Sequence, residues 1–365
     1  MARMKRRSIA QWEFWPFWLF YTPVYLQLLG AGLRYGTLAH FCCANPGVPF
    51  GGLIEYSKQA LSAYLPEAVV PKTAVLPLRS SANEIERAMR GAAIGFPCIL
   101  KPDRGERGFF VEKISDRDDL AQYVGRLDAF AYALAAAGLE VERERILLQE
   151  YVDETTEFGV MWRHDPDTPD GIVSSIVRKD LLSVVGDGVC DLATLISAGE
   201  RTALHEPMLR ALHAERLTEV LPNGERLFLA EIGNHVRGAT FRNASHEIDE
   251  EITLRFRALA EAIPGFYVGR FDVRCRDAQA LRRGAFTVLE VNAVNSEPAH
   301  IYDPENTLRA AYRDLLEHWR SVHAIAAMNR RLGCRPPRVR DLVAALRRHS
   351  TRLAAARTSD RALRE

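Results

Sequence analysis

The sequence predicts an α+β fold, with short strands interleaved with helices and a helical carboxy-terminal extension. Three observations lead there. Gly284 to Pro298 (GAFTVLEVNAVNSEP) carries a β-branched and apolar run, Phe286 to Val291, behind a glycine, which reads as a buried strand. Phe266 to Cys275 reads as a second strand of the same kind. Gly95 to Ile114 reads as strand, glycine-bearing loop, strand, and a helical pattern follows it from Asp116 to Gly138.

The chain has 365 residues, enough for two or three packed units and a sizeable core. Its 48 Lys and Arg against 47 Asp and Glu leave a net charge of +1, so no global field argues for nucleic acid. The 6 cysteines are scattered without a C-x-x-C pair, which fits a reduced, cytoplasmic compartment.

At the amino terminus Arg3, Lys5, Arg6 and Arg7 precede Phe14 to Leu33, a run without a charged residue. Trp12, Phe14, Trp15, Phe17, Trp18, Phe20, Tyr21 and Tyr25 crowd its beginning. Its length is nominally that of a membrane span, but Pro16, Pro23 and Gln27 interrupt it, and Trp and Tyr favour the bilayer interface. Two readings stand side by side: Trp12 to Leu33 as a membrane-interface element, or as a hairpin packed on the body or on a second copy in a homo-oligomer.

Leu38 to Ala44 is expected as a short strand, and Tyr56 to Leu65 as a helix that Ser57 caps and Pro66 ends. Lys58 near that helix start meets an anion in one reading and is solvated in the other. Val69 to Leu76 is strand-like and Asn83 to Gly91 helical. In Gly95 to Ile114, Lys101 closes a strand and Gly105 and Gly108 open the loop after it. Such glycines let backbone amides approach phosphate oxygens, and the lysine adds a point charge, which suits a triphosphate. The order of a Walker A loop is absent, and an ordinary hairpin turn also fits.

Arg145 to Trp162 reads as strand, turn, strand. Glu150, Tyr151 and Val152 at the strand end would offer backbone groups to a purine edge, and Glu157 would accept from ribose hydroxyls; plain hairpin surface also fits both. Ile172 to Val185, with Arg178 and Lys179, continues the sheet, and Leu192 to Ala198 and Arg210 to Glu219 are expected as helices. Leu227 to Ile232 is a strand, followed by a glycine-punctuated loop, Gly233 to Asn243, whose His235, Arg237 and Arg242 suggest anion contact. Glu247 to Ala262 is helical.

Arg270 and Asp272 share one face of their strand, and so do Glu290 and Asn292 of theirs. If the two strands pair, Asp272, Glu290 and Asn292 converge as hard oxygen donors, which is what Mg²⁺ needs with nucleotide phosphates completing its shell. Asp303 and Pro304 read as an N-cap and a first-turn proline, so Glu305 to Leu332 is expected as one helix with Leu308, Leu315, Trp319 and Val322 as its apolar stripe. After Pro336 and Pro337 a last basic helix sets Arg338, Arg340, Arg347, Arg348, Arg352, Arg357, Arg361 and Arg364 against Leu342, Val343, Leu346 and Leu353. It suits an anionic lipid surface in one reading and a solvated tail or lid in the other.

In this order the motifs resemble the ATP-grasp superfamily, in particular its carboxylate–amine ligases of the D-alanine–D-alanine ligase and cyanophycin-synthetase type. The similarity runs from about Ser57 to Ile301. FPCILKP, with Lys101, resembles the family's phosphate-binding lysine strand, and Gly105 to Gly108, with Arg107, its flexible glycine loop. QEYV, with Glu157 seven residues after Glu150, resembles the adenine hinge and the ribose carboxylate. Ser57-Lys58 resembles an earlier Asp-Lys, and Lys179 a second phosphate lysine. GRFD and LEVN resemble the metal face, where Arg270 would steady the transferring phosphate. The family often follows its Glu-x-Asn with a Pro-Gly turn in the loop that helps hold the acceptor; here Ala293 to Pro298 stands instead.

The resemblance implies an ATP-grasp fold of two α+β subdomains clasping ATP. Residues 1–35 would form the aromatic segment, 36–80 a short pre-grasp region, 81–302 the nucleotide-clasping and metal-binding subdomains, and 303–365 the helices with the basic tail. It implies ATP and Mg²⁺ (or Mn²⁺) as cofactors, with Asp272, Glu290 and Asn292 as metal ligands. Lys101, Lys179 and Arg270 would be catalytic. Lys58, Lys101, Gly105, Arg107, Gly108, Glu150, Tyr151, Val152, Glu157 and Lys179 would bind nucleotide. The implied reaction activates a carboxylate as an acyl phosphate and joins it to an amine. The substrates are small or lipid-linked, and the location is cytoplasmic or peripheral on the inner membrane face. The alternatives are a kinase-like phosphotransferase and a non-catalytic ATP-binding scaffold at the membrane.

Overall fold

The structure, a computed structural model, describes residues 12–105, 110–168, 170–229 and 238–362. After short helical turns at Trp12–Phe14 and Phe17–Phe20, helix α1 runs from Thr22–Tyr35 and ends at Gly36 in the left-handed conformation. The strand expected over Leu38 to Ala44 is instead a buried 3-10 helix, His40–Ala44. It packs among helices, and the residue after it, Asn45, ties it to the second sheet. The Asn45 side chain donates to the Val268 carbonyl (2.8 Å) and accepts from the amides of Tyr267 (2.7 Å) and Val268 (3.0 Å). Helix α2 (Lys58–Ser62) starts at Ser57, whose hydroxyl accepts from the Ala60 amide.

The first sheet is antiparallel, in the order β1 (Thr73–Pro77), β4 (Arg145–Glu150), β2 (Cys98–Pro102), β3 (Glu112–Ile114). Helices α3 (Ala82–Ala92) and α4 (Arg117–Ala136) cover one face of it. Ser81 and Glu84 cap α3 reciprocally, and Asp116 caps α4. Alternation sends Cys98 and Leu100 into this core, with Ile85, Leu120 and Leu127, and leaves Ile99 and Lys101 on the other face.

The second sheet is also antiparallel, in the order β11 (Thr287–Asn292), β10 (Val268–Cys275), β5 (Thr156–Arg163), β6 (Ile172–Asp180), β9 (Thr240–Asn243). A small unit stands between β6 and β9: strands β7 (Ser183–Val185) and β8 (Arg226–Phe228) with helices α5 (Leu192–Ala198) and α6 (Glu206–Leu212). Helix α6 starts earlier than expected and ends before His213, since Pro207 suits a first turn. Part of the loop expected over Gly233 to Asn243 is β9; His235 and Arg237 lie outside the described residues. Helices α7 (Glu250–Ala262) and α8 (Ala278–Arg283) pack one face through Phe256, Phe271, Val273 and Val291. Each fully buried aromatic of this kind contributes about 2 kcal/mol.

Helix α9 (Leu308–Arg331) begins three residues later than expected, at a Thr307 cap. Asp303 does not cap it. Its carboxylate accepts from the amides of Asn243 (2.6 Å) and Glu305 (2.8 Å), tying the preceding turn to β9. Leu315, Trp319 and Val322 of α9 meet Phe20, Tyr21 and Val24 of the amino-terminal segment in a third core. Helix α10 (Val339–Ala362) is docked rather than free: Leu342 and Ala345 join the α9 core, and Ala355 and Ala356 join that of the first sheet. Arg352, expected on a solvated or lipid face, is buried against Glu144 at 2.8 Å. Among the described residues no helix is long and apolar enough to cross a membrane.

Candidate active-site cleft

The two sheets meet at Tyr151 to Thr155, where the chain leaves β4 and enters β5. Their polar faces close on one cleft of about 650 Å³. Lys58, Lys101, Gly105, Glu150, Tyr151, Val152, Glu157, Lys179, Arg270, Asp272, Glu290 and Asn292 all line it. Arg107 and Gly108 lie outside the described residues.

Strands β10 and β11 pair, with Asp272 opposite Glu290 and Arg270 opposite Asn292. Arg270 grips both oxygens of Asp272, with Nε to Oδ1 at 2.8 Å and Nη2 to Oδ2 at 3.1 Å. Lys179 Nζ lies 3.1 Å from Asp272 Oδ1 and 2.7 Å from Glu157 Oε1. The amide of Asn292 donates to Asp272 at 3.1 Å, and Lys58 pairs with Glu290 at 3.0 Å. Gly159 makes room for this: a Cβ there would stand 3.1 Å from both Asp272 Oδ1 and Arg270 Cδ. Helix α2 is set by Asp103, whose carboxylate accepts from the Ser57 hydroxyl and the Gln59 amide, so Lys58 reaches over from the first sheet's side.

Electrostatics follow from burial and pairing. Burial pushes the Asp272 carboxyl up, but Arg270 and then Lys179 outweigh it and hold the group at about 2. Burial lowers Lys179, and Asp272 and Glu157 more than restore it. Lys101 ends differently: burial dominates, Glu290 only partly opposes it, and its ammonium is lowered to about 8. That ammonium donates to Gln149 Oε1 (2.9 Å) and to the Leu289 carbonyl (3.2 Å), bridging the two sheets.

Two carboxylates and an amide oxygen on one sheet edge suit a hard divalent cation, which takes one or two carboxylates plus phosphates. Among the described residues no group of three or more His, Cys, Asp or Glu forms a self-sufficient protein cage. At the hinge the Glu150 amide is used by the Lys72 carbonyl (2.9 Å), and the Val152 carbonyl accepts from Arg274 (2.9 Å). Lys113 lies over the Tyr151 ring at 4.5 Å. Glu157 is shared by Lys179 and Arg274, the latter at 3.6 Å.

Some residues of the site went unread in the sequence. Arg274 continues the alternation of Arg270 and Asp272 and was there to find by period. Gln149 was read only as part of QEYV, and Tyr56 and Gly159, which stand behind the lining residues, carry no motif. Tyr56 donates to Asn292 (3.4 Å) and Asn295 (3.1 Å) across a long separation in sequence. The aromatic segment was read toward membrane or packing, yet Trp12, Trp15, Phe17, Phe20 and Tyr21 line the far end of this cleft. Glu13, bonded twice to Arg201 at 3.1 and 3.2 Å, and Trp12, whose indole donates to the Ile301 carbonyl at 3.0 Å, fix them there.

No family model and no curated protein matches the chain. Among solved structures it is similar to a bifunctional glutathione synthetase from Pasteurella multocida, at 16% identity and a TM-score of 0.36 over 71% of this chain and 36% of that one. It is also similar to the D-cycloserine synthetase DcsG, at 16% identity and a TM-score of 0.40 over 78% and 73% of the two chains. A third is D-alanine–D-alanine ligase from Bacillus anthracis, at 12% identity and a TM-score of 0.38 over 75% and 67%. The chain thus spans about a third of the length of the first of these and two thirds or more of the others.

Proposed function

We propose that this chain is an ATP-dependent ligase that activates a carboxylate as an acyl phosphate and joins it to an amine. One observation carries it: Asp272, Glu290 and Asn292 share a paired sheet edge, and Lys58, Lys101, Lys179 and Arg270 converge on that edge from both sheets. A cluster of four cations around hard oxygen donors is what a metal-bound polyphosphate requires.

In the first step a substrate carboxylate oxygen attacks the terminal phosphorus of ATP, and the bond to the bridging oxygen of ADP breaks. The amine nitrogen then attacks the acyl carbon, phosphate leaves with the C–O electrons, and the nitrogen gives up its proton. A divalent cation held by Asp272, Glu290 and Asn292 would neutralise phosphate oxygens when bound. Lys101 and Lys179 hold charge beside the phosphates, and Arg270, fixed by Asp272, presents a rigid guanidinium to the transferring group. Glu150, Tyr151 and Val152 frame the base, and Glu157 faces the sugar. The test is ADP release with Mg²⁺–ATP across carboxylate and amine pools: Asp272→Asn is expected to abolish it with the fold intact, and near-normal turnover would refute the metal assignment. A stable phosphorylated product without amide would move the protein to the phosphotransferases.

The outward side of the amino-terminal segment supports contact with a bilayer. Trp18, Leu26, Leu29 and Leu33 are 66%, 65%, 52% and 87% exposed. Co-sedimentation with anionic vesicles, lost on Trp18→Ser with Leu29→Ser, is the expected result; a full-length protein that stays in the supernatant removes this part of the proposal.

A further inference from the structure

Among the described residues six carboxylates line the cleft, and five have a cation. Glu13 pairs with Arg201, Glu150 with Lys72, Glu157 with Lys179, Asp272 with Arg270 and Glu290 with Lys58. Glu297 has no cationic partner among the described residues. Its oxygens accept from two tyrosine hydroxyls, Tyr302 at 2.9 Å and Tyr21. Arg270 is near enough to feel its charge, yet Nη1 goes to the Glu297 backbone carbonyl at 3.4 Å, while Nε and Nη2 stay on Asp272. Burial, then Glu297 and Tyr302, raise the Tyr21 phenol well above its ordinary range, so it remains a donor at neutral pH.

A carboxylate fixed by two hydroxyls keeps lone pairs for another donor. Around it the cleft is walled by Trp12, Trp15, Phe17, Phe20, Tyr21 and Tyr302. Phe20 and Tyr302 rings lie 5.7 Å apart, and Phe17 stacks on Tyr21 at 4.0 Å. Aromatic faces attract cations as well as apolar bodies. The wall is anchored next to this loop: the Trp12 indole donates to the Ile301 carbonyl at 3.0 Å, and Phe20 and Tyr21 share a core with Val294 and Ile301.

We propose that this aromatic end is the amine subsite, that it takes a primary ammonium on a hydrophobic, aromatic body, and that Glu297 is its counter-ion. The inference rests on the ligase reading and adds the class of its amine. Glu297 binds and orients the ammonium, which gives one proton to solvent before its nitrogen lone pair attacks the acyl carbon and a second as the amide forms; the aromatic wall supplied by the amino-terminal segment selects the body behind it. On β10, Arg270 reaches the Glu297 backbone carbonyl at 3.4 Å and Arg274 lies over the Tyr151 ring at 5.8 Å, with Asp272 between them, so the amine approaches the acyl group from the end opposite the nucleotide base.

The test is calorimetric titration of the full chain, with Mg²⁺ and a non-hydrolysable ATP analogue present, using 2-phenylethylamine, 2-phenylethanol and ethylamine as probes. The wild type is expected to bind 2-phenylethylamine at least ten-fold tighter than either other probe. Glu297→Gln is expected to weaken the amine at least ten-fold while the analogue's affinity is unchanged. Trp15→Ala, which leaves the carboxylate in place, is expected to erase the preference for 2-phenylethylamine over ethylamine. Equal binding of amine and alcohol, undiminished amine binding in Glu297→Gln, or no binding of 2-phenylethylamine to wild type overturns the proposal. The nucleotide channel separates the two claims. If the analogue binds and the amine series fails, the subsite is wrong and the ligase reading stands; if the amine series holds and the analogue does not bind, the reverse is true.

Discussion

Lys101 gives a quantitative prediction, because burial lowers its ammonium to about 8, within a working pH range. A bound polyphosphate restores the charge, so nucleotide binding above that pH takes up a proton. Apparent affinity then scales with the protonated fraction of free Lys101. That fraction falls from roughly nine-tenths at pH 7 to roughly one-tenth at pH 9, so binding of a non-hydrolysable ATP analogue should weaken about ten-fold. Lys101→Met should bind weakly at both pH values and lose the slope. The same burial sets the sign for stability. A lysine lowered on folding leaves the unfolded chain with more protons between about 8 and its ordinary 10.5, so stability rises with pH in that window. Below it the folded protein carries a desolvated cation, and Lys101→Met should stabilise the nucleotide-free protein by up to about 3 kcal/mol at pH 7. The assay is analogue titration by fluorescence from pH 7 to 9 for both proteins, with thermal melts alongside. An affinity independent of pH in the wild type, or an equal slope in Lys101→Met, would refute the reasoning.

Two further outcomes concern the frame. Arg352→Met strands Glu144, only 7% exposed, without its 2.8 Å partner and should cost about 3–5 kcal/mol, read as a lowered denaturation midpoint; an unchanged midpoint would mean that α10 does not dock as described. His318 and His323 are held at about 3 and about 4 by burial, with Arg163 adding for the first and His40 for the second. Both stay neutral when folded and gain protons on unfolding below 6.5, so their contribution is complete above that pH and drains away as pH falls. Each should cost about 2 kcal/mol by pH 5, and His323→Gln should flatten the acid limb of a stability–pH curve.

The placement of Arg270, Asp272, Glu290 and Asn292 together was legible because it is local. A period of two in Gly269 to Asp272 and Leu289 to Asn292 states which side chains share a face, and pairing of neighbouring strands does the rest. The strands that carry Lys101 and Glu150 into the cleft were legible for the same reason, each being short and apolar. What was not legible depends on contacts between residues far apart in sequence. Nothing near Glu297 announces that Tyr21, 276 residues away, will hold it. The uncharged aromatic run reads as an interface of some kind, but only the docked structure divides it into an inner side facing the cleft and an outer side exposed to solvent. His40–Ala44 failed as a strand because its neighbours are helices, a tertiary choice that apolar composition does not reveal. The basic tail was read toward lipid or solvent, and only the structure shows that Arg352 is spent on an internal carboxylate.

The most direct measurement is thermal unfolding of the purified chain with and without saturating Mg²⁺–ATP, repeated on Asp272→Ala. Ligand at about 100 times its dissociation constant adds about 2.7 kcal/mol and raises the midpoint. A rise in the wild type that shrinks in the variant is the predicted result. No rise in the wild type, or an equal rise in both, would contradict a metal–nucleotide site built on Asp272.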